Sequence, residues 1–121
     1  MLTSTQTQTD PVEALANIAR DEEGFFLDVD VWNEDYIKPI ADELEIELSD
    51  EHLEIVRYIR SYYEQNKSVP EARTLLKHLK DTWGKDKATR RYLYRLFPHG
   101  YGQQACMIAG MTKPRKLMLD V

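Results

Sequence analysis

A chain of 121 residues, 42% hydrophobic and 31% charged, has the size and make-up of one small globular domain with a single core. No apolar run approaches the ~18 residues needed to cross a bilayer, and the opening Met1–Asp10 lacks the basic and apolar regions of a signal peptide. One cysteine, Cys106, excludes an internal disulfide and a Cys-rich metal site, and an unpaired thiol points to a cytoplasmic address.

The net charge of −5 conceals an asymmetry. Residues 1–56 hold sixteen Asp/Glu and two Lys/Arg, whereas residues 57–121 hold five Asp/Glu and fourteen Lys/Arg, so the halves carry −14 and +9. Either the halves fold against each other and neutralise in part, or the basic half faces an acidic partner or a nucleic acid.

In chain order, residues 1–10 are rich in Thr, Gln and Ser, and are expected to be disordered. Asp10-Pro11 reads as a helix start, with Val12, Leu15, Ile18 and Ala19 at helical spacing. The turn at Asp21-Glu22-Glu23-Gly24 followed by Phe25-Phe26-Leu27 reads equally as a β-hairpin. Local pattern leaves the two open. Asn33 can cap a helix with an acidic first turn, Glu34-Asp35, in which Pro39 predicts a kink or short break. Ser49-Asp50-Glu51 opens a helix whose apolar face is Leu53, Val56, Ile59 and Tyr63, ending near Gln65-Asn66. Pro70 is expected in the first turn of a helix carrying Ala72, Leu75, Leu76, Leu79 and Trp83, stopped by Gly84. A further helix is expected from Asp86 to Phe97, closed by Pro98. Residues 103–109 give one or two helical turns capped by Gly110, and Lys113-Pro114 forbids helix. The sum is a mainly α domain of about five helices over residues 11–110, with residues 111–121 as a C-terminal arm.

Few residues offer chemistry. His52, His78 and His99 fall on three segments without metal-ligand spacing, and neither GxxxxGK[ST] nor GxGxxG occurs. A thiol hydrolase would need Cys106 paired with His99 and an Asn or Asp, with no supporting signature around them. Asp21-Glu22-Glu23 and Asp42-Glu43-Glu45-Glu47 read as solvated faces, and Tyr62, Tyr63, Trp83, Tyr92, Tyr94 and Phe97 as core rather than a base-stacking platform. Cys106 has two readings. A place early in a short helix, with His99, Lys113, Arg115 and Lys116 as nearby cations, would lower its thiol pKa and make it a persulfide or redox thiol. Beside Ala105 and Ile108 it could instead be a small buried hydrophobe.

From Asp21 to Lys116 the chain resembles the DsrC/TusE family of sulfur-relay proteins. The resemblance rests on Asp21-Glu22-Glu23-Gly24-Phe25, Trp32-Asn33-Glu34-Asp35, Glu45-Ile46-Glu47-Leu48-Ser49, Glu51 to Tyr63, Pro70-Glu71-Ala72-Arg73, Tyr92 to Pro98, and Gln104-Ala105-Cys106 with Ala109-Gly110 and Lys113-Pro114. It implies a small helical bundle preceded by an N-terminal β-hairpin and followed by a flexible C-terminal arm that bears sulfur on cysteine. It also implies partners: a relay complex of the TusBCD/DsrEFH type, dissimilatory sulfite reductase, or the enzyme that thiolates the wobble uridine of transfer RNA. No cofactor, metal or membrane is expected. In the family the main sulfur-bearing cysteine is next to last. The position matching it here is Leu117, and the chain runs on as Met118-Leu119-Asp120-Val121. Cys106 matches the family's upstream arm cysteine.

Three roles remain open. The protein could carry persulfide on Cys106 alone. It could be a non-catalytic paralogue that competes for the family's partners. Or it could be a nucleic-acid-binding regulator, using its basic half and a helix-turn-helix around Ser68-Val69-Pro70.

Overall fold

The computed structural model describes residues 10–113, which form six α-helices: α1 (Pro11–Ala16), α2 (Ile37–Glu43), α3 (Asp50–Asn66), α4 (Ala72–Trp83), α5 (Arg90–Leu96) and α6 (Tyr101–Ile108). Among the described residues no helix is long and apolar enough to cross a membrane. The stretch 1–9 and residues 114–121, with Arg115, Lys116 and Leu117, lie outside the described residues.

Polar capping sets most boundaries. The Asp10 carboxylate accepts from the Val12 N–H and Pro11 opens α1, as a pre-set φ at that position favours. The Asn33 side chain caps a 3₁₀ turn, Glu34–Tyr36, rather than an α-helix. The chain then passes into α2 at Ile37, leaving Pro39 in a first turn where its missing N–H costs nothing. The break expected at Pro39 therefore falls just before it. Ser49 and His52 form a capping box at the start of α3, and His52 Nε2 donates to the Leu96 carbonyl at 2.8 Å, tying α3 to the end of α5.

Three further starts differ from the sequence expectation, α6 opening at Tyr101 and not at residue 103. Pro70 is buried two residues ahead of α4, where its carbonyl accepts from the Tyr101 hydroxyl. The helix α5 begins at Arg90 instead of Asp86, because Thr89 caps the Tyr92 N–H while Ala88 closes a separate turn onto Lys85.

The helix reading describes Pro11–Ala16, and the expected β-hairpin is not found among the described residues. Helix α1 forms but stops at Ala16, and among the described residues no strand forms. One isolated antiparallel bridge joins Arg20 to Phe26. The intervening turn is held by the Asp21 carboxylate, which accepts from the Glu23, Gly24 and Phe25 N–H groups at 2.9 Å each. Asp21 is thus a turn organiser, not part of a solvated face. A ladder has no length to grow, since α1 lies just before it and a 3₁₀ turn, Val29–Val31, just after.

The core joins Leu15, Phe25, Phe26, Ile40, Ile55, Val56, Ile59, Leu75, Leu79, Phe97 and Ile108. The buried stripe of α3 is His52, Ile55, Val56 and Ile59, with Leu53 and Tyr63 only flanking it. At the centre lies α6, packed against α2 and α3, with seven of its eight residues buried. A helix apolar nearly all round must sit inside, and α6 does.

Gly110 ends α6 at φ +73, and a Cβ there would stand 2.2 Å from Trp32 Cδ1. Left-handed backbone and steric clash act together at this residue. Gly110→Ala is expected to lower unfolding stability by about 2 kcal/mol or more, read from urea melts; an unchanged midpoint would show that the Trp32 ring yields freely.

Candidate functional site

The site is α6 and the contacts that hold its two ends. At the N-terminal end Gly100 takes φ +103, and the buried Gln104 side chain turns back so that its Oε1 accepts from the His99 N–H at 3.0 Å. Tyr101 donates its hydroxyl to the Pro70 carbonyl, and burial raises the Tyr101 phenol well above its ordinary range.

The C-terminal end is closed by a Schellman turn. Met111 N–H donates to the Cys106 carbonyl at 3.0 Å and Gly110 N–H to the Met107 carbonyl at 3.0 Å. Two carbonyls beyond the reach of that turn find side chains from far along the chain. Trp32 Nε1 donates to the Ile108 carbonyl at 2.8 Å. Arg60 donates to the Ala109 carbonyl at 3.0 Å and to the Val29 carbonyl at 3.2 Å, with its guanidinium 4.3 Å from the Trp32 ring centroid. Burial lowers Arg60 from its ordinary value, though a guanidinium stays charged. All the orphan carbonyls of α6 are thereby met inside the protein. The packing continues past Gly110: Met111 is 1% exposed, and its carbonyl accepts from the Phe26 N–H.

This frame sets the state of Cys106. The residue is 1% exposed and its thiol is pushed up to about 12 by burial. The lowering expected from helix position and nearby cations is absent, for local reasons. Cys106 is the sixth residue of α6, past the turn where a helix dipole acts. His99 is exposed, and Lys113 pairs with Glu23 at 3.0 Å. Arg115 and Lys116 are outside the described residues. The buried-hydrophobe reading describes where Cys106 sits.

The histidines are dispersed. His52 is engaged by Ser49 and Leu96, His78 stacks on Tyr58 and meets Glu54 at 2.9 Å, and among the described residues no group of three or more potential metal ligands comes together. Glu51 accepts from Lys87 at 2.7 Å and from the Tyr92 hydroxyl. The Lys87 hydrogen bond first, then that of Tyr92, hold its pKa below the usual carboxylate value. Val69 and Pro70, at the centre of the helix-turn-helix expectation, are buried beneath α6.

Sequence reasoning did not single out Trp32, Arg60, Tyr101 or Gln104 as site residues. Gly110 was the available signal, because a buried Schellman end demands donors for the carbonyls it leaves over. Which donors answer cannot be read locally, since Trp32 and Ile108 lie 76 residues apart.

The family profile described as "DsrC like protein" matches residues 14–118. Sulfurtransferase TusE of Pectobacterium atrosepticum is 38% identical over 99 residues, which span 82% of this chain and 91% of that protein. Sulfurtransferase TusE of Escherichia coli K12 is 41% identical over the same shares. Among solved structures, the oxidized γ-subunit of the dissimilatory sulfite reductase (DsrC) from Archaeoglobus fulgidus superimposes with a TM-score of 0.74 at 37% identity, covering 80% of this chain and 89% of that one. The chain belongs to the DsrC-like family.

A thiol held protonated by burial favours the folded state below its unfolded pKa, and that contribution is lost as pH rises towards the folded value. Unfolding stability is therefore expected to fall between about pH 9 and about 12, more steeply in the wild type than in Cys106→Ala. Denaturant melts of both proteins across that range check this, and parallel curves would refute a buried, raised thiol.

Proposed function

We propose that this protein works in sulfur relay by docking onto partners of its family, and that Cys106 carries no persulfide while the domain is folded. The observation that supports this is the state of the thiol. Persulfide transfer requires a thiolate to attack the outer sulfur of the donor while the donor thiolate leaves. A thiol pushed up to about 12 is thiolate in roughly one molecule in 10⁵ at neutral pH, and at 1% exposure it has no path to a donor. The family position that would carry sulfur holds Leu117, whose side chain has no nucleophile.

What remains is the scaffold. Its partners would be those of the relatives: a relay complex of the TusBCD/DsrEFH type, sulfite reductase or a transfer-RNA thiolation enzyme. A member of this kind occupies the partner without passing sulfur on and so competes with a true carrier. A free thiol suits a reducing compartment such as the cytoplasm. The second reading, Cys106 as the persulfide carrier, rests on its match to the family's upstream arm cysteine and requires the C-terminal end of α6 to unpack first.

Incubation with a cysteine desulfurase and a persulfide-loaded relay complex separates the two, with a persulfide-accepting relative as positive control. Intact-mass spectra are expected to show no added sulfur on this chain, while Cys106→Ser displaces the relative from the relay complex as well as the wild type does. One sulfur gained on Cys106 of the folded protein would establish the carrier reading instead, and failure of both proteins to displace the relative would end the docking role.

A further inference from the structure

The charge asymmetry is only partly absorbed by folding. The acidic and basic halves meet at Arg57–Glu34 (3.3 Å), Lys87–Glu51 (2.7 Å) and Lys113–Glu23 (3.0 Å). Arg60 is spent on backbone carbonyls. Arg90, Arg91 and Arg95, all exposed, make no ion pair among the described residues, and all three lie on α5. Neutralisation between the halves is real but stops short of this helix.

The arginines surround an aromatic ring. Tyr94 is 59% exposed, one of few large hydrophobic side chains so placed. It stands four residues after Arg90 and three after Arg91, and Arg95 stands four after Arg91, so helical spacing gathers the group on one face. The opposite face is anchored. Leu93 and Phe97 are buried, Tyr92 packs edge-on to Trp83 and donates to Glu51, and His52 holds the Leu96 carbonyl. An exposed face on an anchored helix is presented with little ordering cost to a partner.

We infer that the Arg90–Arg91–Tyr94–Arg95 face of α5 is a docking surface for an acidic partner protein whose carboxylates flank an apolar spot. This deepens the docking role proposed above and rests on it. Charge complementarity selects the occupant. Three guanidiniums in their fork geometry suit carboxylates, and Arg and Tyr are among the residues enriched where binding energy concentrates between proteins. A nucleic acid fits less well. It would need cations spread along its backbone, whereas these occupy a seven-residue helix of a chain with net charge −5 whose first 56 residues carry −14. That half would repel the rest of a polyanion.

The test titrates the full chain into a fluorescein-labelled peptide of alternating Glu and Leu, read by anisotropy, with a single-stranded oligonucleotide of equal charge as comparison. The peptide is expected to bind more tightly than the oligonucleotide, and to weaken as salt rises. Tyr94→Ala should weaken it about tenfold and Arg91→Glu/Arg95→Glu more than that. Lys67→Glu/Lys77→Glu, which removes the same charge elsewhere, should leave it within about twofold. The surface is overturned if the lysine variant loses as much as the arginine variant, if Tyr94→Ala binds like the wild type, if the oligonucleotide binds more tightly, or if the peptide does not bind. Because no sulfur-relay partner is present, such a failure removes this surface and leaves the docking role to the displacement assay, where a wild-type failure would remove the role itself.

Discussion

A helix buried on nearly all sides cannot leave its last carbonyls to water, and α6 meets that constraint with two side chains from distant segments. Trp32 takes the Ile108 carbonyl and Arg60 takes that of Ala109, while Gly110 and Met111 close the rest by backbone. Each unpaired carbonyl at this depth would cost about 1–3 kcal/mol, so the arrangement governs more than one helix end. Arg60 also holds the Val29 carbonyl, which fixes the 3₁₀ turn that delivers Trp32. Gly110 must lack a Cβ because the indole occupies that space. Three separate parts of the chain are thereby tied at the point where the chain leaves α6.

The chemistry follows from that tie. With both ends of α6 anchored, the sixth residue of the helix faces protein, and a cysteine there is a packing residue with a high thiol pKa. Cys106, the one cysteine of the chain, is enclosed by that frame. In the role proposed above, the protein acts through what it binds. The exposed arginines of α5 are among the basic side chains that make no ion pair among the described residues once the acidic and basic halves have met.

Much of the fold was legible because it is written in local chemistry. Asn33, Ser49, Gly84 and Gly110 act as caps where their side chains or backbone freedom suit them. Errors arose where two local signals competed or a distant contact decided. The helix expected from Asp86 begins at Arg90, because Lys85–Ala88 makes its own turn and Thr89 caps α5. Asp21 looks like one more surface carboxylate until its three backbone partners are seen. The burial of Cys106 was available as an alternative in the apolar neighbours Ala105 and Ile108. What decided it, the anchoring by Trp32 and Arg60, depends on residues whose partners lie far away in sequence.

The role of Cys106 turns on whether it stays enclosed in the native protein. The direct measurement is the rate of thiol labelling under excess reagent at neutral pH, across low urea concentrations, beside the unfolding free energy. In the wild type, labelling should follow global unfolding, with the urea dependence of the equilibrium transition. In Trp32→Phe, which frees the Ile108 carbonyl, it should quicken through an opening that depends less on urea. Rapid, urea-independent labelling of the wild type in native buffer would contradict the enclosure of Cys106 and return it to the ranks of reactive thiols.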